Sequence, residues 1–184
     1  MAACRCLHPR MNSKSNIFLV GPMGAGKTSI GRQLAEALEM EFLDSDHEIE
    51  ARSGVTIPWI FDVEGEEGFR KREQAMIDEL SQRQNIVLAT GGGAVLSEVN
   101  RTCLKTRGTV IYLSASIDQL LERTRQDRNR PLLQTENPRA KLEELMQIRE
   151  PLYREVADIV LETDNSSIRH AVNRIIKQLK NTPS

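Results

Sequence analysis

Ile17-Phe18-Leu19-Val20-Gly21-Pro22-Met23-Gly24-Ala25-Gly26-Lys27-Thr28 is the stretch that decides how this chain folds. Four apolar residues suit a strand buried on both faces. The pattern G-x-x-x-x-G-K-[ST] follows at once. Beyond it, Ile30, Leu34 and Leu38 recur at helical spacing, with Arg32, Gln33 and Glu36 left for a wet face. A strand ending in a glycine-rich turn that opens a helix aims backbone N–H groups and the positive end of the helix dipole at one point. Gly21, Gly24 and Gly26 permit the backbone angles and close approach that a phosphate requires. Ala25 and Gly26 lie in the cradle itself, Lys27 reaches the β- and γ-phosphates, and Thr28, followed by Ser29, offers a hydroxyl to Mg²⁺. The alternative is a turn that binds nothing, but an inward lysine without an anionic partner is costly.

Working outward, apolar runs at 17–20, 40–43, 86–89, 110–113 and 159–161 alternate with helical patterns. Ile117, Leu120, Leu121 and Thr124 form one such pattern; Ile168, Val172, Ile175, Ile176 and Leu179 form another. This alternation predicts an α/β fold, a parallel sheet covered by helices on both faces. Ligands of such sheets bind beyond the carboxyl ends of the strands, so polar residues that follow strands carry the most weight.

Asp44-Ser45-Asp46 follows the second run and opens a helix expected at His47. The two aspartates at this strand end are expected to play different roles. Asp44 can support Mg²⁺ through water. Asp46 can accept a proton or hydrogen bond from a substrate hydroxyl, or simply cap the helix. The third run ends in Thr90-Gly91-Gly92-Gly93. Three consecutive glycines cost conformational entropy, and their lack of side chains would let a ligand lie on the backbone.

Basic residues form a third group. Arg70 sits in the charged segment 65–73, which opens a helix continuing through Met76, Ile77 and Leu80. Arg123, Arg125, Arg128 and Arg130 crowd a stretch that carries two prolines and little periodicity to about Arg139, which reads as a mobile lid. A phosphoryl-transfer site needs such a lid to exclude water and deliver a guanidinium. For Arg125 and Arg128 a plain solvated charge run serves equally well. Arg149 follows, just before Glu150-Pro151-Leu152-Tyr153.

The 184 residues, with 25 basic and 26 acidic side chains and a net charge of −1, suit one domain and make no electrostatic case for nucleic acid or an anionic membrane. With aromatics at 4 %, base-stacking platforms are not expected. No apolar stretch approaches transmembrane length. Cys4, Cys6 and His8 lack the fourth ligand of a closed zinc site, and three cysteines argue against a disulfide framework. Residues 1–14 are expected to be a disordered extension, and 15–181 one domain with an acceptor-binding segment at about 46–80 and the lid at about 124–139. A cytoplasmic location is expected.

Gly-Pro-Met-Gly-Ala-Gly-Lys-Thr, Phe-Leu-Asp-Ser-Asp, Glu-Gly-Phe-Arg, Ala-Thr-Gly-Gly-Gly, Arg-Pro-Leu-Leu and Arg-x-Pro-Leu-Tyr occur in that order. Together they resemble the shikimate kinase family from about Asn16 to Leu179. The resemblance implies a three-layer P-loop kinase fold related to nucleoside monophosphate kinases, with a five-stranded parallel sheet in the order 2-3-1-4-5. It implies ATP- and Mg²⁺-dependent phosphorylation of the shikimate 3-hydroxyl; a monomer is expected, since nothing in the sequence demands an oligomer. By that resemblance Lys27, Asp46 and Arg130 are catalytic, and Asp46, Arg70, Arg149 and Gly91–Gly93 bind shikimate. Gly24, Ala25, Gly26, Lys27, Thr28, Ser29, Arg123 and Arg130 bind ATP, with Arg123 packed on adenine, and Thr28 and Asp44 serve Mg²⁺.

Two departures stand out. The loop ends Lys-Thr-Ser where many members have Lys-Ser-Thr, and residues 163–166 are short where members often place a side chain beside adenine. Planar arginines suit the shikimate carboxylate. Gluconate or a nucleoside monophosphate are rival acceptors on the same fold. A nucleotide switch that transfers nothing leaves Asp46, Gly91–Gly93, Arg70 and Arg149 without a role.

Overall fold

The computed structural model describes residues 16–125, 137–163 and 167–181. The expected extension at 1–14, Arg128, Arg130 and most of the expected lid lie outside them. Five strands, β1 (Ile17–Val20), β2 (Glu41–Asp44), β3 (Ile86–Ala89), β4 (Thr109–Ser114) and β5 (Ile159–Glu162), form one parallel sheet in the order β2-β3-β1-β4-β5. That is the order expected. The three inner strands are apolar because both their faces are covered: β1 and β3 are buried throughout, and only the terminal residues of β4 are partly exposed. β5, at the edge, alternates buried and exposed instead.

Among the described residues seven helices flank the sheet: α1 (Lys27–Leu38), α2 (Ser45–Ser53), α3 (Ile57–Leu80), α4 (Glu98–Arg107), α5 (Ile117–Thr124), α6 (Pro138–Val156) and α7 (Ile168–Asn181). Helices α1 and α7 pack on each other, α1 over the middle strands and α7 beside β5, while α3, α4 and α6 pack in sequence around a short 3₁₀ turn at Ala94–Leu96. Helix α1 lies so close to the sheet that a Cβ on Gly31 would stand 2.6 Å from the Phe42 ring. Helix α5 starts with a full capping box, Ser116 and Gln119 each accepting the other's backbone N–H.

Two expectations need correction. Helix α2 begins at Ser45 rather than His47, because the Asp44 side chain accepts the N–H groups of Asp46 and His47 and so caps the helix two residues early. The helix carrying Arg70 opens at Ile57, well before Gly65; Gly65, with φ 69° and ψ 180°, breaks it into two arms.

Register brings the functional ends level. Leu19 and Asp44 both pair with Ala89, and Val20 pairs with Tyr112. The segments leaving β1, β2 and β3 therefore emerge side by side at one edge.

Candidate active site

The loop after β1 has the shape its glycines predict. Gly24 and Gly26 adopt φ of 78° and 90°, and Gly26 caps α1 in the left-handed conformation. Gly21 stands where a Cβ would meet the Leu113 carbonyl oxygen at 2.5 Å. Ala25 is buried, whereas Thr28 and Ser29 are exposed at the first turn of α1. Lys27 Nζ donates to the carbonyls of Gly21 and Pro22, each at 2.8 Å, so its ammonium bends over the loop it belongs to. A phosphate in the loop would offer that cation a charged partner in place of two neutral ones.

Thr28 Oγ1 donates to Asp44 Oδ2 at 2.8 Å. Asp44 thus serves two elements, one oxygen toward Thr28 and the other capping α2. The paired hydroxyl and carboxylate are hard oxygen donors, the chemistry Mg²⁺ prefers, and they lie beside the phosphate loop. These residues fit the expected ion. Arg123 Nη1 lies 3.4 Å from the Gly24 carbonyl and donates to Thr163 Oγ1 at 3.2 Å, which places the guanidinium between the loop and the end of β5. Thr163 is a partner the sequence reading passed over.

Across the edge, Asp46, Arg70, Arg149 and the glycines converge. The cap belongs to Asp44, so Asp46 is not held at the helix terminus and its carboxylate turns toward Gly91. The three glycines are explained differently from expectation. None needs a left-handed φ; at Gly91 and Gly93 protein side chains occupy the space a Cβ would take, and Gly92 lies against the backbone of the phosphate loop. A Cβ on Gly91 would stand 2.5 Å from Glu73 Oε1 and 2.8 Å from Asp46 Oδ1, and one on Gly93 would run into the Arg70 guanidinium. One on Gly92 would stand 3.3 Å from Met23 N and 3.7 Å from Arg149 Nη1. The Gly91 N–H donates to Ser45 Oγ at 3.1 Å, so this glycine's donor serves the fold.

Glu73 is the residue most clearly missed. It is 1 % exposed, its Oε2 accepts from Arg70 Nη1 at 2.7 Å, and its Oε1 has no hydrogen-bond partner among the described residues. Burial pushes its carboxyl above the usual carboxylate range, against the pull of Arg70 and Arg149. The i, i+3 spacing from Arg70 was visible within a charge run, but nothing local marked which of its acids turns inward. Arg70 is also held by Glu66, and Arg149 is 4 % exposed. Two buried or half-buried guanidiniums, an aspartate turned toward Gly91 and a phosphate loop within one edge have the chemistry to take an anionic, hydroxylated molecule beside a nucleotide.

Comparison with known proteins agrees in kind. A model of the shikimate kinase family matches residues 23–180. A shikimate kinase of Actinobacillus pleuropneumoniae is 58 % identical over 171 residues, covering 93 % of this chain and 99 % of its own length. One from Thioalkalivibrio sulfidiphilus is 62 % identical over 165 residues, covering 90 % of this chain and 87 % of its own. Among solved structures, a shikimate kinase from Acinetobacter baumannii in complex with shikimate is 54 % identical with a TM-score of 0.90, covering 94 % of this chain and 97 % of that one.

Proposed function

This chain belongs to the shikimate kinase family, and on that premise we propose that it transfers the γ-phosphoryl group of ATP to the 3-hydroxyl of shikimate, giving shikimate 3-phosphate and ADP. The observation that carries the reading is the abutment of two cradles. Gly92 of the acceptor side lies against Met23 and Gly21 of the phosphate loop, so donor and acceptor would meet without a gap.

In this reading the loop 24–29 and the dipole of α1 hold the phosphates. Lys27 swings from its own loop carbonyls to the transferring phosphoryl group and neutralises charge that grows on its oxygens. Arg70 and Arg149 grip the carboxylate and fix which hydroxyl faces the donor. Asp46 accepts that hydroxyl's hydrogen bond, orients its lone pair, and takes its proton as the oxygen–phosphorus bond forms. Thr28 and Asp44 would hold Mg²⁺, which when bound spreads positive charge over the phosphates. Arg123 serves the adenine end, and Arg130, outside the described residues, is assigned the phosphate-facing guanidinium by resemblance. Residues 15–181 act as one catalytic unit, with 46–80 as the acceptor segment and about 124–139 as the lid, in a cytoplasmic monomer.

The deciding experiment measures ADP release from ATP and Mg²⁺ with shikimate, gluconate or AMP as acceptor. Turnover is expected with shikimate at least about a hundredfold above the others, the discrimination that a site built to pair specific polar groups supports. Acceptor-independent turnover, or a preference for either rival, would overturn the proposal.

A further inference from the structure

Tyr153 is fully buried in the last turn of α6, four residues after Arg149 and therefore on the same helix face. Its hydroxyl donates to the carbonyl oxygen of Gly92. The Arg149 guanidinium lies beside the same glycine, its Nη1 3.7 Å from where a Cβ on Gly92 would stand, and burial raises the phenol's pKa well above the ordinary tyrosine value. The ring is clamped as well: it stacks on Tyr112 with centroids 5.0 Å apart and planes 23° from parallel. One O–H thus holds a glycine of the acceptor side beside which the Arg149 guanidinium also lies.

The geometry points to Tyr153 as a positioning residue for the acceptor carboxylate, acting through Arg149 and the Gly92–Gly93 peptide. This rests on the shikimate reading and deepens it. In a planar trans peptide the C=O of one residue and the N–H of the next point opposite ways. Holding the Gly92 carbonyl toward α6 therefore turns the Gly93 N–H away from α6. The clamped phenol, one turn along the same helix face from Arg149, also narrows the space open to the Arg149 guanidinium. An arginine already fixed loses less freedom when it binds an anion. Phenylalanine at 153 keeps the ring and the stack but leaves the Gly92 carbonyl without this partner, a loss felt in full at a buried site.

The test is Tyr153→Phe, with shikimate affinity measured by calorimetry and steady-state kinetics, beside thermal unfolding to confirm the fold. We expect acceptor KM and Kd to rise about tenfold, the scale of one buried hydrogen bond, while ATP KM stays within about twofold. Two further readouts separate positioning from mere scaffolding. The loss should shrink in an Arg149→Lys background, since coupled residues are non-additive. It should also disappear for a shikimate analogue whose carboxylate is replaced by a primary alcohol. Tyr112→Phe, which keeps the stack and alters a hydroxyl with no hydrogen-bond partner among the described residues, should leave both KM values unchanged. Unchanged shikimate affinity in Tyr153→Phe, an equal loss for the carboxylate-free analogue, or a parallel loss of ATP affinity overturns the inference. Failure of the wild-type protein to bind shikimate at all overturns the functional reading beneath it, and is visible before any variant is made.

Discussion

At residue scale, Glu73 ties the site to pH. Its carboxyl is held above the usual carboxylate range chiefly by burial. The unfolded chain releases this proton near pH 4.3, whereas the folded chain releases it higher. Between those values the folded state binds more protons, so the stability contribution is full below the unfolded pKa and is lost as pH rises through the folded one. Glutamine is a neutral isostere that cannot titrate. The stability of the wild-type protein relative to Glu73→Gln should therefore fall from pH 4 upward and then level off. Urea unfolding of both proteins at half-unit intervals measures this, and a difference that grows in favour of the wild type would refute the burial account. Asp46, Arg70 and the glycine triplet were legible in the sequence because their residue types announce chemistry in any fold. Ser45, Tyr153 and Thr163 were not, because each pairs with a group far along the chain, Tyr153 with Gly92 at a separation of 61 positions; Glu73 has Arg70 three residues away, but its turn inward is set by its packing against Gly91.

At the scale of elements, the bend in α3 shows why boundaries were harder to read than strands. Apolar runs located all five strands to within one or two residues, since a doubly covered strand has to be apolar. Helix starts depend on a single side chain or a single φ: Asp44 drew α2 forward, and Gly65 let α3 begin eight residues before the charged segment. Across that bend Arg72 reaches Glu64 with two hydrogen bonds of 2.9 and 2.7 Å, and the Phe61 and Phe69 rings meet at 4.8 Å. The φ/ψ of Gly65 belong to a region that residues with a Cβ scarcely visit, although a Cβ there would meet nothing within 4 Å. The cost of Gly65→Ala is thus conformational, about 1–3 kcal/mol. Chemical denaturation should show that loss, and shikimate KM should rise with it, because Arg70 follows the bend by five residues and packs over Phe69. A variant as stable as the wild type would mean that α3 straightens without strain.

For the whole molecule, the sheet makes two binding events report on one fold. Both cradles hang from the ends of neighbouring strands, of which β1 and β3 are buried throughout, so filling either cradle stabilises the common core against global unfolding. A ligand at a hundred times its Kd adds about 2.7 kcal/mol. For a chain of this size each kcal/mol moves the midpoint by about 2–4 °C, so either ligand should raise Tm by about 5–10 °C. The residues predict how this response divides. Lys27→Ala removes the cation that answers the phosphates, so it should abolish transfer and blunt the shift from ATP with Mg²⁺ while keeping the shift from shikimate. Arg149→Ala removes a carboxylate grip, so it should lose the shikimate shift and keep the ATP shift. Gluconate, whose flexible chain cannot meet two fixed guanidiniums and Asp46 without loss of freedom, should move neither midpoint by more than about 1 °C at the same concentration, an affinity deficit consistent with unpaired polar groups. Scanning calorimetry on the three proteins with each ligand yields a pattern that no general effect on folding can reproduce. If Arg149→Ala lost the ATP response and kept that to shikimate, the division of the edge into donor and acceptor halves would be wrong.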